Sequence, residues 1–206
     1  AGAAETDGPP GAIAIGKALA SIGYDVVHAT DRYAEPLMSA IVGDEARVVD
    51  FPITDEAASK EFASGLLSEV RPSVIISIER CGPTDEGVYR NMRNLDITEH
   101  TARLDTLFSV QPNTVGIGDG GNEVGMGNLA EVVSTVSSLV DRACVTTVTK
   151  LVIASVSNWG GYGLVAALSR RHGRNLLVSV EEEQELVKRV ADMGAVDGMS
   201  TKSENK

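Results

Sequence analysis

Residues 114–128 read TVGIGDGGNEVGMGN, and within them residues 116–128 hold six glycines, two acids and two asparagines. An apolar, β-prone run that breaks into glycine and acid has the pattern of a strand delivering its chain into a loop. Other runs share the strand part of this pattern: DVVHA (25–29), RVVDF (47–51), SVIISI (73–78) and LVIASV (151–156). Helical patterns lie between them. PPGAIAIGKALASIG opens with Pro9 and Pro10 and stops at Gly23, and TDEAASKEFASGLLSEV opens with Thr54 as the expected N-cap. Further helices are expected over 98–108, 129–142, 161–172 and 181–193. Strand-helix alternation with apolar strands predicts an α/β fold: a three-layer, mostly parallel, doubly wound sheet with helices on both faces.

The 206 residues, 43% hydrophobic and 23% charged, are expected to form a single domain with a substantial core. That domain is expected to lack its first strand, because AETDGPPG reads as a loop entering a helix, and to lack its C-terminal end. A net charge of −11 argues against nucleic acid, whose phosphates require a basic face. No apolar run approaches the roughly 20 residues of a membrane span, so no membrane partner is expected. Cys81 and Cys144 are too few for a disulfide framework, which suits a reducing compartment.

In open parallel sheets ligands sit beyond the carboxyl ends of the strands. Three loops qualify there: ERCGPTDEGVYRNMRN, GDGGNEVGMGN and SNWGGYG. AETDGPPG is a fourth candidate. Gly116, Gly118 and Gly121 have the G-x-G-x-x-G spacing, but Asp119 would set an anion against a pyrophosphate and no acid follows to hold a ribose, so no nucleotide cofactor is expected. Asp119 and Glu123 stand four apart and can share a magnesium ion, as in haloacid-dehalogenase-like phosphotransferases, although the nucleophilic D-x-D element of that chemistry is absent. Alternatively, the glycines make turns while Asp119, Asn122 and Asn128 cap the next helix.

Taken together, ETDGPPGA, ERCGPTDEGVYRNMRNLDI, GIGDGGNEVGMGN, SNWGGYG and GAVDG resemble the C-terminal domain of the D-glutamate cyclase family, in order and approximate spacing, over nearly the whole chain. Cys81, Pro83 and Thr149–Lys150 depart from the expected pattern. The resemblance implies a lyase that converts D-glutamate to 5-oxo-D-proline with loss of water, in a cytoplasm or, in a eukaryote, the mitochondrial matrix. A magnesium-dependent phosphotransferase and a non-catalytic amino-acid-binding domain are the alternatives.

Closing glutamate into a ring requires a base for the amine and an electrophilic aid for the γ-carboxylate. Asp119 and Glu123 can supply base and acid, or can together hold a divalent cation, Mg or Mn; Glu79 is a third catalytic candidate. Arg80 suits a substrate carboxylate, with Glu79 orienting it or receiving the ammonium. Asn122, Ser157 and Asn158 are candidate donors to an oxyanion. Thr6 and Asp7 either touch substrate or cap the first helix. Tyr89, Asn91 and Arg93 form either a lid or a solvated loop, and Trp159 belongs to the core or a pocket wall. Cys81 is not expected to be a nucleophile, and the three histidines read as structural or exposed. The expected partner is a small acidic amino acid, with a homo-oligomer possible.

Overall fold

The computed structural model describes residues 2–198; the tail beyond Gly198 lies outside them. Five parallel strands carry the architecture: β1 (Val27–Thr30), β2 (Arg47–Asp50), β3 (Ile75–Ile78), β4 (Thr114–Gly118) and β5 (Lys150–Ile153). All five arise from the runs anticipated, and the fold is α/β. The pairing differs from one continuous sheet. Among the described residues β1 pairs only with β2, and β3, β4 and β5 form a second ladder in that order.

The described residues form six α-helices: α1 (Pro9–Ser21), α2 (Glu35–Val42), α3 (Glu56–Val70), α4 (Ala130–Val133), α5 (Ser157–His172) and α6 (Val180–Asp192). On one face, Ile13 of α1 joins Leu37, Met38 and Val42 of α2 and Val190 of α6, packed against Val48 of β2. Further along the same face Ile15 and Ala18 of α1 meet Val165 of α5 over Ile76, Ile78, Val115, Ile117 and Val152. On the other face Ala63 and Leu66 of α3, with Leu104 and Leu107, cover Val27, Ala29, Val49 and Ile75. Both pairings of strands thus belong to one middle layer, and α1 bridges them.

Several helices depart from expectation for local reasons. The 98–108 segment forms two short 3-10 turns, Thr98–His100 and Leu104–Phe108, and the 129–142 helix stops at Val133. Its run of Val132, Val133, Thr135 and Val136 is β-branched and resists helix. α2 was not foreseen in EPLMSAIV, where Pro36 occupies the first helical turn. Asp55, not Thr54, caps α3 by accepting from Ala58 N–H. The last run stops as a strand at Ile153, and α5 begins at Ser157, four residues early.

Candidate active site

The helices α1 and α5 aim their N-termini at one point beyond the carboxyl end of β3, and each is capped from the other's approach. Asn158 Oδ1 accepts from Gly8 N–H at 3.0 Å and Gly11 N–H at 2.8 Å. Asp7 returns the bond: its carboxylate accepts from Ser157 N–H at 2.8 Å and Asn158 N–H at 2.7 Å. Asp7 therefore caps α5 across 150 residues of sequence, not the helix that follows it. The helices approach closely because a Cβ on Gly11 would lie 3.1 Å from Asn158 Cα and one on Gly161 3.2 Å from Gly11 Cα. Two positive helix ends therefore face the same small volume, which favours anionic side chains there.

Three carboxylates occupy that volume. Asp7, Glu79 and Asp119 each place an oxygen within 4.8 Å of the others. Glu79 follows β3 directly and has φ of 52°, a left-handed conformation rare outside glycine and concentrated at functional sites. Its Oε2 is buried and makes no hydrogen bond among the described residues. Burial, followed by the charges of Glu123 and Asp119, pushes the Glu79 carboxyl well above the usual carboxylate range; the nearby Ser157 hydroxyl opposes this. Asp119 is pushed up to about 7, by burial first and then by the Glu123 carboxylate beside it, with Asp7 and Glu5 adding to the field.

The glycine segment takes its shape from Glu123, which is 1% exposed. Glu123 Oε1 accepts from Gly120 N–H at 2.8 Å and more weakly from Asp119 N–H at 3.3 Å, while Oε2 accepts from Gly121 N–H at 2.8 Å. The loop thus wraps its own acid. Gly121, at φ of 99°, makes the turn, and a Cβ on Gly118 would strike the Glu123 carboxylate at 2.9 Å. Asp119 and Glu123 consequently do different work, since only Asp119 faces the cavity. The shared magnesium of the phosphotransferase reading has no free second carboxylate at Glu123.

A cavity of about 1200 Å³ joins these groups, lined among others by Thr6, Asp7, Glu79, Arg80, Asp119, Asn122 and Asn158. Arg80 is held by Asp31, at 2.6 Å, and by the Ala102 carbonyl at 2.9 Å, so Asp31 and not Glu79 orients it. Among the described residues Arg80 Nε and Asn122 Oδ1 are buried without a hydrogen bond. Asn122 Nδ2 donates to the Arg90 carbonyl. Thr6 contributes its backbone, its carbonyl accepting from Asn158 Nδ2 and its N–H donating to Val196 in the GAVDG segment. Ser157 Oγ is buried beside the Glu79 carboxyl.

The remaining candidates separate. Trp159, 61% exposed, stands at the cavity wall. Tyr89 is fully buried with its hydroxyl on Asp105, which removes it from any lid, while Asn91 and Arg93 line the cavity. Burial pushes the Cys81 thiol up to about 12, leaving no thiolate at neutral pH. Asp31 was missed in the sequence, although an acid directly after the VHAT strand has the same placement as Asp119 after TVGIG.

The family described as D-glutamate cyclase-like, C-terminal, matches residues 1–206. A human protein, mitochondrial D-glutamate cyclase, is 36% identical over 181 residues, which cover 80% of this chain and 29% of that protein. The chain therefore spans less than a third of that relative's length. No helix among the described residues is long and apolar enough to cross a membrane.

Proposed function

Because this chain belongs to the D-glutamate cyclase-like C-terminal family, we propose that its acid-lined cavity closes D-glutamate into 5-oxo-D-proline with loss of water. The observation that carries the reading is the convergence of Glu79 and Asp119, two carboxyls raised above the usual range, with the Arg80 guanidinium on one cavity. In the reaction the substrate nitrogen forms a bond to the γ-carboxyl carbon and one carboxyl oxygen departs. The ammonium gives up two protons, and that oxygen takes two to leave as water. A carboxyl raised to about 7, as at Asp119, suits such a transfer, since it can accept and release a proton without a large free-energy step. Asp119, at about 7, is the better placed of the two to take the amine proton and return it to the leaving oxygen. Arg80, fixed by Asp31, offers its guanidinium to a substrate carboxylate.

A dicarboxylic substrate entering beside three carboxylates meets repulsion that Arg80 alone does not cancel. The donor set of Asp7, Glu79 and Asp119 is all oxygen, which suits a hard divalent cation such as Mg or Mn, and the unbonded Glu79 Oε2 has a lone pair to give. When bound, such a cation would neutralise and polarise the carboxylate under attack. Asp7, Glu79 and Asp119 take the place of the Asp119–Glu123 pair as the candidate ligand set, since Asp7, although it also accepts three backbone N–H bonds, lines the cavity and Glu123 does not.

The test is incubation with D-glutamate, L-glutamate and D-aspartate, with and without magnesium or manganese, following 5-oxoproline by chromatography. Turnover of D-glutamate alone is expected, because D-aspartate would close to a strained four-membered ring. Arg80 holding one carboxylate also leaves the L-amine turned from the base. Equal turnover of both glutamate enantiomers overturns this geometry; binding of D-glutamate with no product under any metal condition identifies a binding domain instead.

A further inference from the structure

The middle layer has a gap. β4, with a strand on each side, is buried at four of its five positions, whereas every residue of β1 and three of the four in β3 are only half-buried. Yet β1 and β3 lie under helices on both faces, and strands so covered are ordinarily buried throughout. Their exposure comes from the side. The 1200 Å³ cavity runs between them, lined by Val27–Asp31 on one edge and Val74–Arg80 on the other. Ala12 and Met38 lie along one face, and Leu66, Leu67, Leu104, Leu107 and Phe108 along the opposite one.

The two edges match. Thr30 O accepts from Phe51 N–H, so Thr30 and His28 face β2, and alternation turns the backbone groups of Val27 and Ala29 to the gap. Ile75 and Glu79 donate to carbonyls of Asn113 and Ile117, so Ile76 and Ile78 face the gap from the other side. Both edges run in the same direction, and their open N–H and C=O groups sit inside a covered layer where an unpaired polar group is costly. α1 bridges the gap, with Ile13 in the cluster over β2 and Ile15 in the cluster over β3 and β4.

We propose that this slot seats a sixth parallel strand, an apolar extended segment of the same polypeptide lying outside residues 1–206. The order then becomes β2, β1, inserted strand, β3, β4, β5, a doubly wound sheet whose topological switch point lies at the inserted strand. A span of four to five residues matches the flanking strands, and its side chains alternate between the α1 layer and the Leu66–Leu104 layer. Its carboxyl end emerges between Asp31 and Glu79, directly under the acid site, so the strand closes the floor of the cavity where substrate sits. The human relative, of which this match covers 29%, shows that a family member carries chain well beyond such a domain. The inference rests on the sheet and not on the cyclase reading.

Hydrogen exchange followed by NMR tests it on the protein with its natural flanking sequence and on the 206-residue chain. The expected result is that the amides of Val27, Ala29, Ile76 and Ile78 exchange at least about tenfold more slowly in the longer protein, approaching those of Val115 and Ile117. If the 206-residue chain lacks a cooperative fold, the comparison with Val115 and Ile117 within the longer protein decides alone. Fast exchange of the four amides in the longer protein overturns the proposal. So does full protection already present in the dilute 206-residue chain, which would mean that β1 and β3 close on each other. Protection that rises with concentration of the 206-residue chain would assign the slot to a second copy and equally overturn it.

Discussion

Replacing Glu123 with glutamine separates a structural acid from a chemical one. Glu123 holds the glycine loop through two short bonds from Gly120 and Gly121 N–H, both 2.8 Å and buried, and a longer one from Asp119 N–H at 3.3 Å. Glutamine keeps one acceptor oxygen and sets an NH2 group against the other backbone donor. One buried N–H is left unsatisfied, costing about 1–3 kcal/mol, and the other bond loses its charge assistance. The sum is about 2–4 kcal/mol, and at about 2–4 °C per kcal/mol for a chain of this size the melting temperature falls by roughly 4–16 °C. Asp119→Asn behaves oppositely. Its raised pKa means that the folded protein holds a proton there which the unfolded chain has released. Stability from this group is therefore fully present below about pH 4 and is lost as pH rises to about 7. Asparagine removes that loss, so the variant melts with wild type at pH 4 and at or above it at pH 8, with activity abolished. Scanning calorimetry at both pH values, beside product formation, makes the comparison. A Glu123→Gln protein that melts within about 2 °C of wild type at both pH values yet makes no product would refute the loop-holding role and return Glu123 to the chemistry.

Three further outcomes are expected. Manganese or magnesium at about 100 times its pH 8 dissociation constant should stabilise the protein by about 2.7 kcal/mol at pH 8 and by less at pH 5 at that same concentration, and Glu79→Gln should remove most of the pH 8 shift in a thermal melt. Gly11→Ala, whose new Cβ would lie 2.5 Å from Ile78 Cδ1 and 3.1 Å from Asn158 Cα, should lower stability by about 1–3 kcal/mol by prising α1 from α5, read by urea titration. Asp31→Asn should leave Arg80 mobile and lower kcat/KM by roughly 10–100-fold, with Arg80→Lys at least as damaging because lysine lacks the planar fork; steady-state kinetics decide both.

The strands were legible because each is a short apolar run bounded by turn residues, a signal carried by the residues themselves. Their partition into two ladders was not, because the gap between β1 and β3 is a property of pairing and no single run records its neighbours. The helix over 129–142 failed where β-branched residues outweighed an apolar period, and α2 escaped because eight residues give barely two turns of period to read.

The site was legible to the level of loops and not of atoms. Placing Glu79, Asp119 and the SNWGGYG turn at the carboxyl ends of neighbouring parallel strands follows from topology alone, since every such strand delivers its loop to the same rim. What each polar side chain does there depends on which backbone donors lie within reach, and those come from remote residues. Asp7 and Asn158, 151 positions apart, exchange caps between two helices. Spacing suggested that Asp119 and Glu123 act as a pair, yet the four residues between strand and acid form a turn tight enough for Glu123 to reach back to its own loop, where the N–H groups of two consecutive glycines outcompete any ligand. The same closure turns Asp119 outward towards Glu79. One acid is spent to aim the other, and that accounts for three of the glycines: Gly120 and Gly121 donate the N–H groups Glu123 requires, and Gly118 leaves room for its carboxylate.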